Sequence, residues 1–284
     1  MAVQGPAVVR VGDVQAVYWP GDELVATALA EYAERARPWP GLPPLEPFPI
    51  TLIVTRSAAR FDSVTRARLP TWTGAAAFPR SNTIVLKVDG GDPFPTLRHE
   101  LAHLMLAHHA GRLPLWFAEG YAALAAGEWQ RLDGLTVNWA LVTGRPPSFA
   151  ALDRELRAGP SHARAAYALA TTAVVYLERI GGERGLEPLI GRLADAPDFE
   201  TAVRQTHLIT LADLEAGWHA DLRRRYGWLL LGTSLSLFWG VTALAVGLVW
   251  WRRRRRDRVR RAQLDVGWDV PENATENGVI NDPA

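Results

Sequence analysis

His99, Glu100 and His103 fall in the run TLRHELAHLML and form a His-Glu-x-x-His pattern. On an α-helix, residues four apart lie about 40° apart around the axis and about 6 Å along it, so His99 and His103 present both imidazoles to one point. A divalent metal ion needs such an approach. Glu100 lies about 100° round from His99 and flanks the same point, where it can meet a metal-bound water without being a ligand. Leucine and alanine dominate residues 97–110, which are expected to be helical, with Gly111 as the stop. Two histidines and a glutamate at fixed positions arise by accident in about one chain of this length in a hundred. The pentapeptide therefore needs a third ligand to support it.

Geometry separates the candidates for that ligand. His109 stands six residues after His103, where a metzincin places its third histidine, but the glycine that turns such a chain back is replaced here by Leu106. If the helix continues through Leu106, His109 points about 120° away from His103 and about 9 Å further along, too far to ligate. A metzincin also needs a methionine turn downstream, and the only methionines are Met1 and Met105. His108 fails the same angle test. Both histidines read as helix-end residues facing the negative end of the helix dipole. Glu119 passes, because residues 111–114 provide a tight reversal and Leu115-Trp116-Phe117-Ala118-Glu119 would open a second, antiparallel helix. Two histidines and one carboxylate leave a fourth tetrahedral position for water, the arrangement of a catalytic zinc, one ion per chain. The alternative for Glu119 is an ordinary surface carboxylate.

Composition narrows the chemistry further. The chain has 284 residues, enough for one good-sized domain with accessory segments. Its formal charge of +1 carries no basic field of the kind that nucleic acid would require. It has no cysteine, which excludes disulfides, thiolate nucleophiles and cysteine-ligated zinc. Any metal must be held by histidine and carboxylate.

The elements that would position these residues follow from pattern. Alternating apolar residues at 7–19 around Gly12-Asp13 predict a hairpin. A helix is expected at 23–36, a stiff proline-rich connection at 38–49, and strands at 50–55 and 83–88. From about 93 to 226 the chain reads as helical, with breaks at 111–114, 144–147, 159–160 and 181–182. Strands first and helices second is an α+β pattern.

Residues 227–251 form a stretch of 25 without a charge, long enough to cross a hydrocarbon core of about 30 Å as one transmembrane helix. Trp228 lies at one end and Trp250 and Trp251 at the other, where indole favours the headgroup region. Three arginines, 223–225, precede the stretch, and eight follow it between 252 and 261, which favours a cytoplasmic C-terminus. The first 222 residues would then lie outside the cytoplasm, with the chain a single-pass protein of the cell membrane. Against that, the apolar run at 7–9 is broken by Arg10 and makes no signal peptide. Either a signal segment precedes this sequence or the charge rule misleads and the domain is cytoplasmic. The expected division is a catalytic domain at 1–222, the span with its basic flanks at 223–261, and a disordered tail at 262–284.

The run RHELAHLMLAHHAGRLPLWFAEGYA resembles the core of the peptidase MA-like gluzincins, in which His-Glu-x-x-His is followed by a short loop and a helix bearing Trp-hydrophobic-x-Glu-Gly. The likeness extends more weakly over residues 7–226, through TWTGAAAFPRSNTIVL, AYALATTAVVYL and LADLEAGWHADLRRRY. It implies a thermolysin-like catalytic fold with a small N-terminal sheet beside the active-site helix, zinc, and hydrolysis of a peptide or protein substrate. Related aminopeptidases carry a Gly-Ala-Met-Glu-Asn motif whose glutamate binds the substrate's free amine. The similar place here reads Gly74-Ala75-Ala76-Ala77-Phe78. Lacking that carboxylate, the chain fits an endopeptidase better than an aminopeptidase.

In the implied mechanism, Glu100 acts as general base toward a metal-activated water and passes the proton on to the leaving amine. Gluzincins of similar type place an oxyanion-stabilising tyrosine on a later helix, and Tyr167 in Ala166-Tyr167-Ala168 resembles it; the alternative is a tyrosine packed within its helix. Tyr121 is the weaker choice. His162, His207 and His219 have no spacing that commits them to a role. A competing reading is a catalytically inactive peptidase-like domain serving as a membrane-tethered binding module. A third makes the arginine block a binder of lipid or nucleic acid.

Overall fold

The computed structural model describes residues 5–66, 73–128, 146–158, 160–226 and 228–265, with the backbone alone at 160–164, 228–237 and 257–265. Two compact units divide the chain, Met1–Trp228 and Leu229–Ala284.

The first unit begins with the expected hairpin, β1 (Ala7–Val11) antiparallel to β2 (Val14–Tyr18). α1 (Glu23–Arg35) follows and buries one face through Ala26, Leu29, Ala30 and Ala33. Through that crossover β3 (Ile50–Thr55) returns parallel to β2, as a parallel pair requires. Next come α2 (Ala58–Thr65), β4 (Ala75–Phe78) and β5 (Thr83–Lys87). The sheet order is β1-β2-β3-β5-β4, with β5 parallel to β3 and β4 antiparallel to β5. Among the described residues, β4 is thereby an edge strand. Neither α2 nor β4 stands out from the sequence pattern. Ala75, Ala76 and Ala77 have little intrinsic strand preference, and pairing with β5 holds them extended.

Helices make up most of the remaining described residues. α3 (Pro93–His109) starts where the Asp92 side chain accepts from the Phe94 N–H, with Pro93 at the first helical position, and ends at an extended Ala110. α4 (Leu115–Ala125) begins after Pro114, and its Trp116 N–H donates to Asp153 at 2.8 Å. α5 (Phe149–Arg157), α6 (Pro160–Ile180), α7 (Glu187–Leu193), α8 (Phe199–His207) and α9 (Leu211–Tyr226) follow. The expected break at 144–147 and Gly159 lie largely outside the described residues.

Buried aromatics tie these helices together. Trp116 stacks on Phe149 at 4.1 Å between centroids, and Phe149 stacks on Trp218 at 5.2 Å. The Trp218 indole N–H donates to Thr172 at 3.0 Å. Asp221 of α9 accepts from Arg179 of α6 at 2.6 Å and from Arg225 at 3.1 Å. A buried carboxylate met by two guanidinium groups locks the last helix of the unit to its longest one.

The second unit holds nearly all of α10 (Trp228–Asp265), which runs without a break through the arginine block. Gly227 and the side chains at 228–237 lie outside the described residues, so the expected span at 227–251 is described only in part. Among the described residues, no helix is long and apolar enough to cross a membrane. Helix continues to Asp265, past the expected start of the tail at 262, and residues 266–284 lie outside the description.

Candidate active site

α3 packs against the edge of the sheet at β4 and β5 and against α4, and α4 packs in turn on α6. Leu97, Leu101, Leu104 and Met105 fill the buried side of α3, which leaves His99, Glu100 and His103 on the side facing a cleft of about 460 Å³. The reversal at 111–114 brings α4 back, and Glu119 faces the same cleft. Gly120, the next residue, allows the close approach of α6 that puts Tyr167 in the cleft wall.

The carboxylate of Glu119 lies 3.3 Å from His99 Nε2 and 3.6 Å from His103 Nε2, and the two rings are 5.0 Å apart between centroids. One ligand atom from each of His99, His103 and Glu119 lies within 4.8 Å of the others. Donors on a tetrahedral zinc with bonds of about 2.0–2.1 Å are separated by about 3.4 Å. Two imidazoles and a carboxylate at these spacings fit such an ion. His108 and His109 do not join them. His108 sits 3.0 Å from the Asn82 side-chain oxygen and against the Phe48 ring, while His109 is the last residue of α3.

The electrostatics of the centre follow from this crowding. Burial alone would lower the His99 pKa, but hydrogen bonds to Glu119 and Glu128 and the charges of Glu119 and Glu100 raise it to about 10. Burial would raise the Glu119 pKa, yet hydrogen bonds from His103 and His99 and their charges hold it far below the usual carboxylate range. Glu100 goes the other way. Its pKa is raised, chiefly by burial and also by Glu119, against the opposing pull of His103, His99 and the Ala77 backbone N–H that donates to it. Tyr167 is raised by burial first, then by the charges of Glu119 and Glu100 and a hydrogen bond to Glu119.

The five residues singled out from sequence, His99, Glu100, His103, Glu119 and Tyr167, line one cleft. Tyr121 does not. It is fully buried against Phe117, and among the described residues its hydroxyl finds no partner. His219 meets the Pro147 carbonyl at 3.0 Å, His207 closes α8, and the His162 side chain lies outside the described residues. Sequence reasoning missed Glu128, whose carboxylate lies 3.4 Å from His99 Nδ1. The signal for it was slight: a glycine ending α4 followed by an acid, nine residues past Glu119.

The sequence profile of the peptidase MA superfamily matches residues 46–224, which take in β3 through most of α9 and every residue of the cleft named above. Among curated proteins, none matches the chain.

Proposed function

Because the chain belongs to the peptidase MA superfamily, we propose that it is a zinc-dependent endopeptidase anchored to a membrane by residues 227–251. The observation that carries the catalytic part is the convergence of His99, His103 and Glu119 within 4.8 Å, with Glu100 beside them. Those three residues hold the ion. Bound zinc supplies a Lewis acid that acidifies a water and polarises the scissile carbonyl.

Glu100 takes the proton of the attacking water and delivers it to the leaving amine. Its burial raises its pKa, which makes it a stronger base than an exposed carboxylate. Tyr167 donates its hydroxyl hydrogen to the oxygen that gains negative charge. β4, an edge strand, offers one side of its backbone to an extended peptide.

Support for internal cleavage comes from what surrounds the centre. Apart from His99, Glu100, His103 and Glu119, the described lining of the cleft is uncharged, with Ala75, Ala76 and Ala77 on one wall and Leu106 and Leu113 on another. Nothing in it would grip a free amine or carboxylate at a substrate's end. The membrane part rests on the sequence: the uncharged stretch of 25 residues, its terminal tryptophans, and eight arginines after it against three before. The catalytic domain then lies outside the cytoplasm.

Glu100→Gln tests the reading, since it should abolish cleavage of a peptide library while zinc stays bound. A metal-loaded wild type that cuts no peptide would favour the inactive binding module instead.

A further inference from the structure

The ring of His99 has a carboxylate on each side. Its Nε2 lies 3.3 Å from Glu119, on the metal side, and its Nδ1 lies 3.4 Å from Glu128. Glu128 is only partly exposed, at 32% of its side chain, and it stands apart from the group of residues whose ligand atoms converge. Among the described residues, no carboxylate pairs in this way with Nδ1 of His103.

The backbone that aims Glu128 is built for the purpose. α4 ends at Ala125, the Ala126 N–H still reaches the Ala122 carbonyl at 2.9 Å, and the Gly127 N–H reaches Leu124 at 3.1 Å. Gly127 then takes φ 70°, a left-handed conformation that glycine adopts without cost and that turns the chain off the helix. Arg98, the neighbour of His99, donates from Nε to the Ala125 carbonyl at 2.5 Å and from Nη2 to the Pro38 carbonyl at 2.9 Å. The last residue of α4 is therefore clamped to α3 one residue from His99. Glu128 comes to the back of the imidazole by this route.

We infer that Glu128 is a positioning residue for His99, accepting the Nδ1–H hydrogen bond so that the lone pair of Nε2 stays turned toward the metal. This rests on the metal-site reading above. A neutral imidazole carries one N–H, and an acceptor fixed at Nδ1 selects the tautomer whose Nε2 is free to ligate. The carboxylate also stops the ring from rotating and makes Nε2 a better electron donor. Glu128 touches neither substrate nor metal and acts only through His99.

The test is the zinc affinity of the full-length chain, read by competition with a chromophoric chelator, for wild type, Glu128→Gln and Glu128→Ala. Glu128→Ala should bind zinc about 10–100-fold more weakly, a loss typical of removing such an outer partner. Glu128→Gln, whose amide oxygen still accepts from Nδ1–H, should recover most of that loss. Cobalt-loaded Glu128→Ala should also show a shifted d–d absorption band, while cooperative thermal unfolding of the metal-free variants verifies their fold. If the alanine variant does not fold, the ¹⁵N shifts of His99 in zinc-loaded wild type decide: a protonated Nδ1 with its proton held in a hydrogen bond supports the inference, and ligation through Nδ1 overturns it. Unchanged affinity in a folded Glu128→Ala, beside a wild type that binds zinc, overturns the role of Glu128 alone. A wild type that takes up no zinc overturns the metal-site reading itself.

Discussion

A methyl group on Gly120 would stand 2.5 Å from the carbonyl oxygen of Ala170 and 2.8 Å from a Val174 methyl. α4 and α6 thus meet with a backbone at their contact, directly beside Glu119. The glycine that follows the glutamate in Trp-hydrophobic-x-Glu-Gly sets how near Tyr167 comes to His99, His103 and Glu119.

Gly120→Ala should push these helices apart and destabilise the fold by about 1–3 kcal/mol, the usual range for overpacking a tight contact. Urea unfolding measures it. Stability equal to wild type would mean that the two helices are free to adjust and that the close approach is not needed.

The two histidines one helical turn apart, the hairpin at Gly12-Asp13 and the strand that begins at Thr83 were legible because each is a local pattern of period or turn chemistry. Glu119 was legible because a short reversal between two helices leaves little choice of direction. β4 was not, since three alanines in a row carry no strand signal and the strand exists through its pairing with β5. The parallel register of Val14 with Ile50 and of Leu52 with Ile84 is set by packing across long stretches of chain, which no local pattern reports. Glu128 escaped for a related reason. Its role depends on a left-handed turn at Gly127 and a clamp from Arg98, neither of which leaves a motif.

The protonation of His99 makes the metal-free protein sensitive to alkaline pH. Its pKa is raised from 6.5 to about 10, so the stability it contributes is complete below pH 6.5 and is lost as pH rises toward 10. The raised pKa of Glu100 acts in the same direction at lower pH. Glu119, held low, contributes above its ordinary value of 4.5 and loses that contribution as pH falls below it. The unfolding temperature of metal-free protein should therefore drop between pH 6 and pH 9.5, and bound zinc, replacing the proton on His99, should flatten the drop. A metal-free profile that is flat or rises over that range would contradict the assignment.

Zinc uptake at pH 8 should release about one proton, since His99 must give up its Nε2 proton to ligate. Calorimetric titration in buffers of different ionisation enthalpy measures the number. Uptake with no proton release would place the ion elsewhere.

Tyr167→Phe should lower kcat by about 10²-fold or more with little change in KM, because the hydroxyl is needed only as charge develops on the oxygen. Steady-state kinetics separates the two constants. Equal kcat values would return Tyr167 to the role of a packed helix residue that happens to border the cleft.

Chains ending at residue 226 should leave the membrane fraction and still take up zinc, while the full chain stays with membranes until detergent is added. Recovery of the full chain in the soluble fraction would remove the anchor from the account.

Metal analysis of purified protein is the most direct measurement of all. Wild type should carry one zinc per chain, retained in Glu100→Gln and lost in folded His103→Ala and Glu119→Ala. Zinc that stays bound at full stoichiometry when Glu119 is replaced, or a wild type that never acquires it, would contradict the claim that His99, His103 and Glu119 form one centre.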